Sequence, residues 1–185
     1  MDWETIRSEK GPNLKLFDTR FDWVKHPVSG HEAKVVILES PDSANVIPIT
    51  AEGQILLIRQ YRFGIGAYTL ELPGGLVNPD ETESKSAAER ELLEETGYGG
   101  TEWHYLGAVP SNPVFMDCFI HHWVLKNAQL IGETHFDDAE EIDLVEVELN
   151  DAFNLMASGA INHPHAISAL FRLKVLLDLN PGFLD

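Results

Sequence analysis

Three glutamates stand close together in a short acidic segment of the chain, Arg90-Glu91-Leu-Leu-Glu94-Glu95. On a helix, side chains three or four residues apart are neighbours, so these three carboxylates share one side and repel one another. Arg90 alone offers a positive charge close to them in the sequence. Carboxylate oxygens are ligands that Mg²⁺ prefers, often together with substrate phosphates. The spacing therefore predicts a divalent-cation site, although glutamates alone also fit a solvated acidic helix surface.

A Pro73-Gly74-Gly75 turn lies a short distance before the acidic segment. Glycine has no side chain, so a turn of this kind lets a bare backbone carbonyl approach an ion closely. The combination of turn and glutamates favours the cation site over the solvated helix surface.

The acidic segment belongs to a predicted helix over residues 85–96. Its sequence, KSAAERELLEET, consists mainly of strong helix formers. Ser84 suits the N-cap position, and Gly97 suits the position just past the last helical residue. Such a helix would hold the glutamates at a fixed spacing.

Strand-like runs lie on both sides of this helix, and two more helices follow. The predicted strands are 34–38, 46–50, 54–62 and 69–72 before the helix, and 103–109, 119–125 and 143–149 after it. Asn150 or Asp151 would cap a short helix to about Ser158, and residues 164–179 form a more apolar helix. This order departs from strict strand–helix alternation. It predicts an α/β (α+β) fold with a mixed β-sheet between helices.

The composition limits the partners of the chain. It has 185 residues, with 13 Lys+Arg against 30 Asp+Glu and a net charge of -17. Nucleic acids are bound through clustered basic side chains, so this balance excludes them, and it disfavours an anionic membrane surface. The single cysteine, Cys118, excludes an internal disulfide and a CxxC zinc module. The N-terminus lacks an apolar signal segment, so a soluble, cytoplasmic protein is expected.

Two pairs of histidines could bind zinc by residue type. They are His121-His122 and His163-Pro-His165. Adjacent side chains on a strand point to opposite faces, so the first pair is poorly placed to share an ion. Both pairs are interpreted as structural or incidental.

The segment from Gly75 to Tyr98 resembles the Nudix box, G-x5-E-x7-R-E-U-x-E-E-x-G-U, where U is an aliphatic or bulky apolar residue. The matching residues are Gly75, Glu81, Arg90, Glu91, Leu92, Glu94, Glu95, Gly97 and Tyr98. One departure is present, because eight residues rather than seven separate Glu81 from Arg90. The extra residue falls near the start of the predicted helix, so either Glu81 or Glu83 fills the first glutamate position.

The likeness extends to the ADP-ribose diphosphatase branch of Nudix hydrolases. A run Arg59-Gln-Tyr-Arg62 precedes Glu71-Leu-Pro-Gly-Gly75, and Pro113 stands fifteen residues after Tyr98. The resemblance implies substrate binding by Arg59, Arg62, Glu71 and Pro113, with Arg62 reaching a phosphate. The acidic stretch Asp138-Ala-Glu140-Glu141 resembles the loop that supplies a catalytic carboxylate in this branch. Glu140 is the better-aligned candidate and Glu141 the alternative.

The resemblance implies Mg²⁺-dependent hydrolysis of ADP-ribose to AMP and ribose 5-phosphate, with Mn²⁺ as a possible replacement. The Gly74 carbonyl, Glu91 and Glu95 would bind metal with help from Glu94, and Arg90 would orient Glu91. Two alternatives remain open. One is a hydrolase of other nucleoside diphosphate sugars such as GDP-mannose, and the other is a catalytically silent Nudix module that senses a nucleotide.

The resemblance also implies how the chain is organised. Residues 1–45 would form a small N-terminal antiparallel sheet that serves dimerisation, and residues 46–185 would form the Nudix hydrolase domain. A homodimer acting on a small nucleoside diphosphate sugar is therefore expected, with the site near the interface.

Overall fold

The computed structural model describes residues 2–136 and 141–184. The chain divides into two compact units. The first comprises residues 1–42 with 110–119, and the second comprises residues 43–109 with 120–185.

The first unit contains a three-stranded antiparallel sheet. Its strands are β1 (Glu4–Lys10), β2 (Asp18–Lys25) and β3 (Glu32–Glu39), in the order β1-β2-β3. Every residue of β1 is exposed, whereas β2 buries Thr19 and Asp22. The expected small N-terminal antiparallel sheet is confirmed.

The second unit is built on a mixed sheet, which has eight strands among the described residues. Its strands are β4 (Ser43–Thr50), β5 (Gln54–Arg62), β6 (Ala67–Glu71), β7 (Gly74–Leu76), β8 (Tyr98–Gly99), β9 (Glu102–Pro110), β10 (Phe119–Leu130) and β11 (Ile142–Glu148). The central order is β11-β5-β4-β10-β8, with β6 on β5, β7 on β4 and β9 on β10. β4 and β10 are parallel, while β5 pairs antiparallel with β11, β4 and β6.

Three helices accompany this sheet in the described ranges: α1 (Ser84–Thr96), α2 (Leu149–Ser158) and α3 (Pro164–Leu179). None of them is long and apolar enough to cross a membrane. Gly97 ends α1 in the left-handed region with φ 76°, as predicted. Left-handed backbone suits glycine because it has no Cβ to clash with the preceding carbonyl.

The predicted N-cap residues are wrong for both helices. Glu83 precedes α1 and Glu148 precedes α2, and neither makes a side-chain capping bond. Ser84 is the first helical residue, and its Oγ accepts a hydrogen bond from the Trp123 indole at 3.2 Å. Local sequence rules assign the Ser84 hydroxyl to the N-cap of α1, but in the structure it bonds Trp123 of β10 instead.

The core lies on both faces of the sheet. Alternate residues of β4 point to opposite sides. Ala44 and Val46 pack with Leu92 of α1, whereas Ile47 packs with Leu170 of α3. The predicted arrangement of a mixed sheet between helices is therefore confirmed, and α1 packs against β4 through its apolar side.

Candidate active site

Gly74 and Gly75, predicted as part of a turn, instead begin strand β7, where they pair with β4 and lie directly against two glutamates of α1. The Gly74 amide donates a hydrogen bond to Glu95 Oε2 at 2.8 Å. A Cβ added to Gly75 would stand 2.2 Å from Glu91 Oε1, and one added to Gly74 would stand 2.3 Å from the Ala44 carbonyl oxygen. Neither position has room for a side chain. The absence of side chains here is what brings backbone and carboxylates together.

Arg90 binds three carboxylates at once. Its guanidinium donates to Glu81 Oε1 at 2.9 Å, to Glu91 Oε1 at 2.7 Å and to Glu94 Oε2 at 3.1 Å. A fourth bond reaches the Leu76 carbonyl at 2.9 Å. The bonds to Glu81 and Glu91 raise the pKa of Arg90. The bond from Arg90 holds the pKa of Glu81 below its ordinary value, although partial burial opposes this. Arg90 thus contacts Glu91, and the orienting role that the resemblance implies for it stays a prediction.

The extra residue before α1 does not displace Glu81. Glu81 reaches Arg90 through both carboxylate oxygens, at 2.9 and 3.3 Å, and also accepts the Asn78 amide at 2.7 Å. Glu83 is exposed and lies at the N-cap of α1. The insertion is accommodated in the turn over residues 82–83, so of the two alternatives Glu81 is the residue that joins the cluster.

The oxygen donors around Gly74 and Gly75 suit a hard divalent cation. Carboxylate and carbonyl oxygens are the usual ligands of Mg²⁺. Within residues 2–136 and 141–184, no three acidic, histidine or cysteine side chains already stand close enough together to hold an ion. Arg90 lies between Glu91 and Glu94, and Glu95 points at the Gly74 amide. The ligand set of Gly74, Glu91, Glu94 and Glu95 therefore stays a prediction that the donor chemistry fits.

A second cluster of charges surrounds Glu71 at the end of β6. Glu71 is 1% exposed, and Arg62 binds it with two parallel bonds of 2.7 and 2.6 Å. The Thr69 hydroxyl also donates to Glu71, and His163 Nε2 lies 3.4 Å from Oε2. Burial alone would raise the pKa of Glu71, but these partners outweigh it and lower the pKa. Burial lowers the pKa of His163, although the Glu71 charge opposes the shift.

Arg62 also borders a cavity of about 590 Å³. The cavity is lined by Gln60, Tyr61, Arg62, Phe63, Gly64, Tyr68 and Glu141. Arg59 stands beside it, paired with Asp143 at 3.2 Å and stacked 4.2 Å from the Tyr68 ring centre. The Tyr68 hydroxyl donates to Glu141 at 3.3 Å. The structure thus brings Arg59, Arg62, Glu71 and Glu141 to one part of the sheet, where β5, β6 and the start of β11 meet.

Two further site residues are predicted, Glu140 and Pro113. Glu140 lies outside the described residues. Pro113 belongs to the first unit. Their assigned roles therefore stay predictions.

Tyr68, Thr69 and His163 contact site residues but are not among the predicted ones. Tyr68 lies opposite Tyr61 in the antiparallel pairing of β5 and β6, a register that a strand prediction can suggest. His163 comes from the start of α3, far from Glu71 in the sequence. Only the tertiary fold brings those two residues together.

Comparisons with known proteins agree with the box. A model of the NUDIX domain family matches residues 39–170. An ADP-ribose pyrophosphatase of Bacillus subtilis (strain 168) is 30% identical over 162 residues, which is 87% of this chain and 86% of that protein. A methanol dehydrogenase activator of Bacillus methanolicus is 29% identical over 173 residues, which is 93% and 92% of the two chains.

A solved structure shows the same fold. The crystal structure of an ADP compounds hydrolase matches with a TM-score of 0.84 at 23% identity, covering 96% of this chain and 95% of that chain. The family match covers more than two thirds of the sequence and includes the whole Gly75–Tyr98 motif. The chain belongs to the Nudix domain family, and the expectation of a Nudix hydrolase is confirmed.

Proposed function

We propose that the chain hydrolyses the diphosphate bond of ADP-ribose and releases AMP and ribose 5-phosphate. The contact of Gly74 and Gly75 with Glu95 and Glu91 carries this proposal, because it gathers oxygen donors suited to diphosphate chemistry at one point. The Bacillus subtilis relative named ADP-ribose pyrophosphatase spans most of both chains, which supports this substrate over GDP-mannose and similar compounds.

Nudix hydrolases generally need a divalent metal. In this chain the Gly74 carbonyl, Glu91, Glu94 and Glu95 would hold Mg²⁺, with Mn²⁺ as the alternative. When bound, such an ion supplies charge screening for the diphosphate and lowers the pKa of a coordinated water. The bonds from Arg90 would keep the Glu91 and Glu94 carboxylates oriented beside Gly74 and Gly75.

The remaining residues bind the substrate and accept a proton. Arg62 presents a planar fork of N–H donors that matches a phosphate group, and it borders the 590 Å³ cavity. Arg59 adds positive charge beside the same cavity, and Glu71 fixes the direction of Arg62. Glu140, or Glu141 as the alternative, would take the proton from the attacking water as general base.

A panel of substrates tests the proposal. Wild-type protein is incubated with Mg²⁺ and either ADP-ribose, GDP-mannose or another nucleoside diphosphate sugar, and a phosphatase then releases phosphate from any phosphomonoester product. ADP-ribose should react fastest, and chromatography should identify AMP and ribose 5-phosphate. Equal low rates on every compound would remove the ADP-ribose assignment. Nucleotide binding without hydrolysis would favour the silent sensor.

Metal dependence is tested on the same reaction. Protein stripped with EDTA should be inactive, and titration with Mg²⁺ or Mn²⁺ should restore hydrolysis. Full activity in EDTA would contradict the metal site and leave the substrate assignment to the panel.

We also propose that the N-terminal segment, residues 1–45, joins two copies of the chain into a homodimer. Several large apolar side chains of this segment are exposed to solvent. They include Trp3 at 50%, Ile6 at 48%, Leu14 at 53% and Val36 at 44%. Exposed apolar surface of this kind is typical of a protein–protein contact.

A further inference from the structure

The Glu71 carboxylate is buried and contacted from three elements. Oε1 accepts bonds from Arg62 of β5 and from Thr69 of β6 itself. Oε2 accepts the second Arg62 bond and faces His163, at the start of α3, at 3.4 Å. Because the carboxylate cannot turn among these partners, the two parallel bonds also fix the plane of the Arg62 guanidinium.

Arg62 joins the buried pair to the open cavity. Its side chain is 41% exposed, whereas that of Glu71 is 2% exposed. Arginine has many rotamers and loses their entropy when it binds a ligand. A guanidinium held in advance by Glu71 loses less of this entropy, so it binds phosphate more tightly.

Local helix chemistry does not explain the His163 side chain. His163 is the N-cap residue of α3, where Ser, Thr, Asp or Asn is preferred because the side chain can bond a free amide. His163 makes no such capping bond. Its ring instead turns towards Glu71, with 24% of the side chain exposed. The His163 ring therefore lies beside the Glu71–Arg62 pair instead of capping α3.

We propose that His163 is a positioning residue that acts through Glu71 to hold the Arg62 guanidinium in the direction from which it contacts the substrate phosphate. This inference rests on the proposed function, which assigns Arg62 to the phosphate. Without His163, Oε2 loses the imidazole that lies 3.4 Å away, and the carboxylate and the arginine gain freedom together. The chemical step uses other groups, so substrate affinity changes while the rate of bond cleavage does not.

Steady-state kinetics on ADP-ribose test the inference. His163→Ala should raise KM about tenfold and leave kcat within about twofold, the pattern of lost ground-state binding. His163→Gln, which keeps an N–H donor at similar reach, should restore KM to within about twofold of wild type. Asn162→Ala is the matched control, since Asn162 is the exposed neighbour, and it should leave both constants unchanged. Circular dichroism and melting temperature check that each variant is folded.

A double variant shows whether the effect passes through Arg62. Arg62→Ala alone should raise KM, and adding His163→Ala to it should change KM no further. An unchanged KM for His163→Ala, with a raised KM for Arg62→Ala, would overturn the inference and leave the proposed function standing. An unchanged KM for Arg62→Ala would remove Arg62 from the phosphate, and the inference with it. Equal KM values for His163→Gln and His163→Ala would also overturn it.

A spectroscopic measurement separates positioning from hydrolysis. The Arg62 Nε–H group donates to Glu71 at 2.7 Å. Its ¹⁵N–¹H NMR signal should be slow to exchange in wild type and in His163→Gln, and exchange-broadened in His163→Ala. A signal equally protected in His163→Ala would overturn the inference, even if the wild-type protein hydrolysed none of the compounds in the panel.

Discussion

Arg90 shows how one side chain can hold an acidic cluster in place. Glu81, Glu91 and Glu94 would repel one another on and beside α1, but each accepts a hydrogen bond from the same guanidinium. An arginine can do this because its five N–H donors lie in one rigid plane. Glu95 has a different partner, because its Oε2 accepts a hydrogen bond from the Gly74 amide.

Replacing Glu95 by Gln tests the predicted metal ligand. Gln keeps an oxygen that can accept the Gly74 amide, so the fold should remain intact, but the negative charge for a cation is lost. We expect kcat on ADP-ribose to fall roughly 100-fold or more. Steady-state assays at saturating Mg²⁺ give the result, with Glu83→Gln as the control at an exposed glutamate. Near-normal hydrolysis by Glu95→Gln would contradict the ligand assignment.

Replacing Gly75 by Ala tests the close contact between β7 and Glu91 of α1. The new Cβ would stand 2.2 Å from Glu91 Oε1, so the carboxylate has to move. We expect at least about tenfold slower turnover, because small displacements of a catalytic group are costly. Gly53→Ala is the control for lost stability, since Gly53 has φ +83° but no neighbouring atom within 4 Å. If both variants lose activity equally, the effect is one of stability.

At the scale of elements, a buried histidine links the sheet to α3. His122 of β10 is fully buried, with Nδ1 2.7 Å from Asn45 Oδ1 on β4 and Nε2 2.8 Å from Ser168 Oγ on α3. Burial, together with the charges of Arg172 and two histidines, lowers the pKa of His122 to about 4. The ring is therefore neutral wherever the fold is intact at ordinary pH.

This histidine should make the fold sensitive to acid. The unfolded chain takes up a proton on His122 below its ordinary pKa of 6.5, whereas the folded chain does so only below about 4. Stability is therefore fully present above pH 6.5 and is lost as the pH falls towards 4. Between pH 7 and pH 5 the loss amounts to about 2 kcal/mol in the free energy of unfolding.

Urea titrations at both pH values measure this loss in wild type and in His122→Gln. The variant has no imidazole to titrate, so its stability should change less over the same interval, whatever its stability at pH 7. An equal change in the two proteins would contradict the role of His122. All other titratable groups are present in both proteins, so their contributions to the pH dependence cancel in the comparison.

At the scale of the whole molecule, the exposed apolar residues of the N-terminal sheet predict association. Sedimentation velocity at micromolar concentration should give a dimer. Ile6→Lys, in the fully exposed β1, should shift the equilibrium towards monomer because it adds charge to the proposed contact surface. A wild-type monomer under these conditions would refute the homodimer.

Part of the acidic composition of the whole chain belongs to the candidate site. The net charge of -17 predicts weak binding of polyanions. The acidic residues of the chain include Glu81, Glu91, Glu94 and Glu95, which belong to the candidate site around Gly74 and Gly75. Beside the 590 Å³ cavity, Arg59 and Arg62 offer positive charge to a small anionic substrate.

Regular elements with strong local signals could be predicted from the sequence. The bounds of β5 and α3, the body of α1 and the glycine that ends it agree with their patterns, because periodicity and left-handed backbone are local properties. The N-caps of α1 and α2 could not be predicted. The Ser84 hydroxyl faces Trp123 of β10, a contact that local rules do not contain.

For the site, the sequence by itself determined the residue types, the helical spacing of Glu91, Glu94 and Glu95, and the family. The tertiary structure alone decided that Glu81 rather than Glu83 meets Arg90, and that Arg62 is paired with a buried Glu71 beside His163. The physical reason is distance along the chain. Spacing within one helix is set by its backbone geometry, whereas a buried charge takes whichever partners the packed sheet and helices bring within reach.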